Sequence, residues 1–273
     1  MNFITTNDNT KLYIKTWGQG RPVILMHGWP LSADSWDDTS LALAKAGFRA
    51  ISYDRRGFGR SSQPFDGYDY DTLADDLAAV MDQTAAKDAT IVGFSMGGGE
   101  VARYMSRHEG KNIVQAALIA CVVPFMLKTA DHPDGVEQAV FDGMQQAIQA
   151  DRPKFFTEFF KNFFGTGTPP NTLGTELNEW ARAVSMQAGL KPTLECITAF
   201  SSTDFRPDLA AFTVPTLIVH GTADKIVPID IAGRAAAKGI KSAKLLEYEG
   251  APHGLFATHK EKLNHDLIAF LKG

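Results

Sequence analysis

The chain of 273 residues has only two cysteines, Cys121 and Cys196, too few for a disulfide framework and too far apart for a C-x-x-C pair. It also lacks an excess of charge: 27 Lys and Arg stand against 31 Asp and Glu, leaving a net charge of −4. That balance gives no electrostatic reason to expect nucleic acid as a partner. No apolar run reaches the roughly twenty residues a bilayer requires. The longest, Ile113 to Leu127, carries Gln115 and is broken by Pro124, so no membrane partner is expected. The first residues, MNFITTNDNTKLY, lack the basic and apolar regions of a secretory leader, and a cytoplasmic location is the expectation. Neither H-E-x-x-H nor paired cysteines occur, so no metal or other cofactor is expected. Asp54 to Ser61 contains Arg55, Arg56, Arg60 and two glycines, but lacks the full G-x-G-x-x-G and any P-loop lysine, which argues against a nucleotide site.

What the chain does have is 44% hydrophobic and 21% charged residues, enough to bury a core and too little charge for disorder. Short β-branched runs alternate with helical patterns, which predicts an α/β fold with a largely parallel sheet. Phe3 to Thr6 and Leu12 to Trp17, separated by Asn7-Asp8-Asn9, read as an antiparallel edge hairpin. Further strands are expected at Val23 to Met26, Phe48 to Tyr53, Ala89 to Phe94, Ile113 to Val123, Pro215 to Val219 and Leu245 to Tyr248, eight in all. Helices are expected at Ala33 to Ala46, Leu73 to Met81, Val101 to His108, Ile229 to Lys238 and His259 to Leu271. Between Pro124 and Arg206 the strand-like runs stop. This predicts a core domain from residues 1–123 and 206–273 with an inserted helical cap at 124–205. In the cap, Phe155, Phe156, Phe159, Phe160, Phe163 and Phe164 recur at helical spacing. Such a face is expected to pack on the domain beneath, with direct ligand contact as the alternative.

Gly93-Phe94-Ser95-Met96-Gly97 is a G-x-S-x-G directly after a predicted strand and directly before a predicted helix. A turn that tight leaves no room for side chains beside the nucleophile and lifts the serine hydroxyl onto the helix N-terminus. A serine hydroxyl needs a base within hydrogen-bond reach and a third group to orient that base. Of seven histidines, His108, His132, His259 and His265 fall in helical or cap segments, while His27, His220 and His253 lie just beyond predicted strands, where open α/β sheets gather functional groups. On this kind of elbow the partners follow in the order serine, acid, histidine. Asp224 and His253, in the loops after the last two strands, satisfy that order. Asp204, Asp208 and Asp230 sit at the cap junction or a helix start, where capping is the expected job. The backbone N–H groups of Trp29 and Met96 are the expected oxyanion donors. The His27 side chain is then read as support for its loop.

His27-Gly28-Trp29-Pro30, Tyr53-Asp54-Arg55-Arg56-Gly57-Phe58-Gly59, Gly93-Phe94-Ser95-Met96-Gly97-Gly98-Gly99 and Ala251-Pro252-His253-Gly254 together resemble the α/β-hydrolase superfamily over essentially the whole chain. More narrowly, they resemble the cofactor-free bacterial haloperoxidases (perhydrolases) and their arylesterase relatives. The resemblance implies a triad of Ser95, Asp224 and His253, an oxyanion hole from Trp29 and Met96, a four-helix cap and frequent homo-oligomers. It also implies ester hydrolysis on small or aromatic acyl esters accompanied by perhydrolysis, with hydrogen peroxide in place of water. Pro30 would fix the backbone beside Trp29, where peroxide could be held. By position, Phe125, Phe159, Phe163, Phe200, Ile226 and Val227 match the family's apolar pocket walls. Alternatives within the same fold are a lactonase, an amidase or a carbon–carbon bond hydrolase, an interfacial lipase lidded by the Phe-rich segment, and a receptor-like member with little turnover. Epoxide hydrolysis and dehalogenation are disfavoured because they use a carboxylate where this chain has Ser95.

Overall fold

Eight strands form one sheet in the order β1-β2-β4-β3-β5-β6-β7-β8. The strands are β1 (Phe3–Thr5), β2 (Lys11–Trp17), β3 (Pro22–Met26), β4 (Arg49–Tyr53), β5 (Ala89–Phe94), β6 (Ile113–Ile119), β7 (Thr216–Gly221) and β8 (Ala243–Tyr248). The β1–β2 and β2–β4 pairs are antiparallel, and every other pair is parallel. This is a computed structural model; it describes residues 2–167 and 174–273, so Met1 and positions 168–173 of the expected cap lie outside the described residues. Strands β3 and β5 are buried at every residue, as their unbroken runs PVILM and ATIVGF require of strands covered on both faces. The edge strand β8 instead leaves most of its residues partly or fully exposed.

The helices are α1 (Asp37–Lys45), α2 (Tyr70–Gln83), α3 (Met96–Arg107), α4 (Gln138–Phe164), α5 (Glu176–Ser185), α6 (Leu190–Ser202), α7 (Gly233–Gly239), α8 (Leu255–Thr258) and α9 (Lys260–Lys272). Helix α1 packs on α9, and α2 on α3. None of the helices is long and apolar enough to cross a membrane among the described residues. Several boundaries depart from the sequence expectation for local reasons. The expected helix from Ala33 begins as a 3₁₀ turn, Ala33–Trp36, capped by the Ser32 hydroxyl accepting the Asp34 N–H. The expected strand to Val123 leaves the ladder after Ile119, where Ala120 turns at φ 43°. The helix expected from Ile229 starts only at Gly233, because Ala232 is non-helical at φ −118°, ψ −95°.

Between β6 and β7 lie α4, α5 and α6. Helix α4 is broken at Asp151, whose φ of −158° and ψ of 84° are extended. Asp151 Oδ1 accepts the Lys154 N–H at 3.0 Å, so it N-caps a second helical segment in which Pro153 occupies the tolerant first turn. The kink thus divides α4 into two segments. Most of the phenylalanine face packs into the core. Phe156, Phe160, Phe163 and Phe164 are fully buried, each worth about 1.5–3 kcal/mol of transfer free energy, while Phe159 remains half-buried at a cavity.

Candidate active site

Ser95 joins β5 to α3 at φ 54° and ψ −119°, a conformation that costs a non-glycine residue about 1–3 kcal/mol. The turn is held by the Ser95 N–H donating to Ile119 O at 2.9 Å and the Gly98 N–H donating to Ser95 O at 3.0 Å. Steric closeness explains the flanking glycines: a Cβ on Gly93 would lie 2.3 Å from Gly97 O, and one on Gly97 would lie 2.6 Å from Met26 O. Both obstacles are backbone, so neither can move aside cheaply.

The parallel register brings the loops after β7 and β8 toward this elbow. The Ser95 hydroxyl reaches His253 Nε2 at 2.9 Å, and His253 Nδ1 donates to Asp224 Oδ2 at 2.7 Å. Asp224 Oδ1 accepts the N–H groups of Ile226 and Val227, each at 2.8 Å. Burial alone pushes the Asp224 carboxyl up, but the His253 imidazole, with hydrogen bonds from His220 and His253, more than reverses this and holds it well below the usual carboxylate range. An ionised Asp224 therefore faces the base. The His253 ring is fully buried, 5.0 Å from the Phe94 centroid and edge-on to Phe163 at 4.8 Å.

Strand β3 runs beside β5 with Met26 opposite Gly93, which carries Gly28 and Trp29 alongside the elbow. A Cβ on Gly28 would lie 3.0 Å from Ser95 Cβ. His27 Nδ1 donates to Gly28 O at 2.9 Å and its Nε2 accepts the Arg55 N–H at 3.0 Å. Burial and the neighbouring Arg55 charge hold this imidazole well below its ordinary value, so it is a neutral strut beneath the loop. Arg55 binds His27 O at 2.6 Å and the buried Glu100 on α3, whose second oxygen accepts the Tyr53 hydroxyl at 2.5 Å. The other arginines of this segment are paired as well, the buried Arg56 with Asp76 at 2.6 Å and the exposed Arg60 with the buried Asp54 at 2.8 Å.

A cavity of about 160 Å³ opens beside Ser95, lined by Trp29, Phe159, Phe200, Ile226 and Val227 together with Val122, Met126, Val136, Val140, Phe141, Met144 and Lys225. Four of the six expected wall residues are therefore there. Phe125 and Phe163 do not line it. Phe125 lies against His132 at 5.3 Å and beneath the Arg206 guanidinium at 5.1 Å, while Phe163 is turned onto His253 and Phe94. Val122, Met126, Phe141 and Met144 carry no motif and were not expected. The Trp29 indole N–H donates to Thr193 O at 3.0 Å, tying the loop after β3 to α6.

A buried serine, imidazole and carboxylate in hydrogen-bonded series, at the strand ends of a mostly parallel sheet, are the equipment of an acyl-transfer hydrolase. The family model described as alpha/beta hydrolase fold matches residues 21–260, and the chain belongs to that family. It is 43% identical to the non-heme chloroperoxidase CPO-A1 of Kitasatospora aureofaciens, over 99% of each chain. It is 42% identical to the bifunctional esterase/perhydrolase DCH of Acinetobacter calcoaceticus over 100% of both. The crystal structure of bromoperoxidase from Bacillus anthracis superposes with a TM-score of 0.96 at 42% identity, covering 99% of both chains. The expected kinship with non-heme haloperoxidases and ester hydrolases holds.

Proposed function

We propose that the protein is a serine carboxylesterase for small or aromatic acyl esters, with perhydrolysis as a second outcome of the same acyl-enzyme. The observation that carries this reading is the unbroken series from Ser95 Oγ through His253 to Asp224, at 2.9 and 2.7 Å. Ser95 attacks the ester carbonyl while His253 Nε2 takes its proton, and Asp224 balances the imidazolium. The oxyanion is held by the N–H groups of Trp29 and Met96, each worth about 3–4 kcal/mol by analogy with other oxyanion holes. His253 returns the proton to the leaving alcohol. Water then attacks the acyl-enzyme to release the acid, with His253 again acting as base.

Hydrogen peroxide attacking the same acyl carbon releases a peracid and frees the serine. The peracid can oxidise halide in solution, its terminal oxygen passing to the halide as hypohalous acid while the carboxylate remains. A cavity of about 160 Å³ with mostly apolar walls supports short or compact acyl groups. In this reading residues 124–205 act as the cap that shapes the acyl site, and residues 1–123 and 206–273 carry the chemistry. The test is hydrolysis of p-nitrophenyl acetate by the wild type and by folded Ser95→Ala. Turnover lost in the variant is expected; an inactive wild type, or equal rates in both, would overturn the assignment.

A further inference from the structure

His220, the fifth residue of β7, ends beside the acid that the proposed mechanism uses. Its side chain is fully buried. Nε2 lies 2.9 Å from Val227 O and 3.3 Å from Asp224 Oδ2. A carbonyl oxygen only accepts, so Nε2 carries the proton and donates it to that carbonyl, with the carboxylate in close polar contact beside it. Nδ1 has no hydrogen-bond partner among the described residues, and a Cβ on Gly233 would lie 2.7 Å from it. The proton thus sits on Nε2, and the ring is wedged against Gly233.

We infer that His220 is a positioning residue for the catalytic carboxylate, one that fixes the rotation of Asp224 so that Oδ2 faces His253. This rests on the serine-hydrolase reading above. Asp224 has four N–H groups around it: Ile226 and Val227 on Oδ1, His253 and His220 on Oδ2. Only His253 is part of the proton relay, so the other three set the plane of the carboxylate. Of those three, His220 is the sole side chain, and it also binds the carbonyl of the residue that supplies one of the Oδ1 donors. One imidazole therefore braces both the acid and the loop that cradles it. An apolar residue would fill the same space without a buried nitrogen lacking a partner. Retention of that unpaired atom points to a use for the opposite one.

The experiment measures the rate constant for phosphonylation of Ser95 by a fluorophosphonate probe, with kcat and KM for p-nitrophenyl acetate. His220→Leu removes the donor. His220→Gln returns an N–H the same number of bonds from Cγ, and His220→Asn keeps an amide but moves it one bond back. Leu and Asn are expected to lower phosphonylation and kcat about 10- to 100-fold with KM within about twofold, and Gln to recover most of the loss. In an Asp224→Asn background the Leu change should have no further effect, because its target is gone. A structural role alone would give no rescue by Gln and an equal loss in both backgrounds, and either result overturns the inference. Should His220→Leu fail to fold, the Gln-to-Asn ratio decides, and a ratio near one refutes it. A wild type that resists the probe would instead sink the serine-hydrolase reading.

Discussion

Removing the charge of Glu100 tests how the loop bearing Trp29 is held beside Ser95. Glu100 lies one turn into α3, fully buried, and accepts from Arg55 Nε at 2.7 Å and from Tyr53 at 2.5 Å. Arg55, only 1% exposed, spends its remaining reach on His27 O. In Glu100→Gln the guanidinium stays charged and is left buried without an anion. Breaking a buried pair from one side costs about 3–5 kcal/mol, and each kcal/mol lowers Tm by about 2–4 °C in a chain of roughly this size. A fall of roughly 10 °C is therefore expected in thermal unfolding followed by circular dichroism. The apolar replacement Tyr53→Phe/Arg55→Met/Glu100→Leu should regain most of that stability, since buried pairs are often dispensable when all partners are replaced together. It still lacks the brace on His27 O, so kcat for p-nitrophenyl acetate should remain about tenfold down, a fraction of the 10²–10³ that losing a whole oxyanion donor costs. A Glu100→Gln variant melting within about 2 °C of wild type would refute the charge argument. A triple variant with wild-type kcat would refute the coupling of this network to the loop bearing Trp29.

Ester hydrolysis and peracid formation share one acyl-enzyme in the proposed mechanism, so Ser95→Ala should abolish both; peracid formation surviving that change, assayed with acetate ester and peroxide, would separate them. The depressed pKa of Asp224 fixes a sign: its ionised form is complete above the unfolded value near 3.8 and is lost only as pH falls through the lower folded value. Asp224 should accordingly add no protonation step to the kcat/KM profile between pH 4 and 8. A step in that range that disappears in Asp224→Asn would refute this. Phe159→Ala enlarges the acyl cavity, and room for two further methylenes at about 0.8 kcal/mol each should raise the kcat/KM ratio of p-nitrophenyl hexanoate to acetate about tenfold.

The elbow at Ser95 was legible because its constraint is local. Carbonyl oxygens 2.3 and 2.6 Å from a would-be Cβ dictate glycine at positions 93 and 97, two residues on either side of Ser95. Asp224 and His253 were legible through chain order, which parallel strands impose by delivering their loops to one edge. The direction of a ring was not. Phe125 and Phe163 sit at positions like those of their expected counterparts, yet contacts with Arg206 and His253 turn them away from the cavity. His220 falls among the strand-end histidines but precedes Asp224, so the serine, acid, histidine order passes over it. Its contact with Asp224 depends on a tautomer, which no residue pattern records. Arg55 and Glu100 are 45 positions apart, and each alone reads as a surface charge.

The helices between β6 and β7 meet the loops bearing His253 and Trp29, which decides where acyl scope can change without harming the proposed chemistry. Phe163 O on α4 accepts the Gly254 N–H at 2.8 Å, and the Phe163 ring bears edge-on against His253. On the other side, the Trp29 indole is bonded to Thr193 O and met edge-on by Phe155, Phe156, Phe159 and Phe200 at 5.4–6.3 Å. A substitution at Phe163 removes a support of His253, the base of the proposed mechanism. A substitution at Met144, which lines the cavity from α4, changes the volume offered to the acyl chain. Phe163→Ala should therefore depress kcat for every ester in a p-nitrophenyl acetate-to-hexanoate series, whereas Met144→Ala should leave acetate kcat within about threefold and alter mainly the chain-length preference, as a change of one or two methylenes worth about 1–3 kcal/mol would. If Met144→Ala lowered kcat uniformly and Phe163→Ala only shifted preference, the division of the phenylalanine face into a wall and a brace would be wrong.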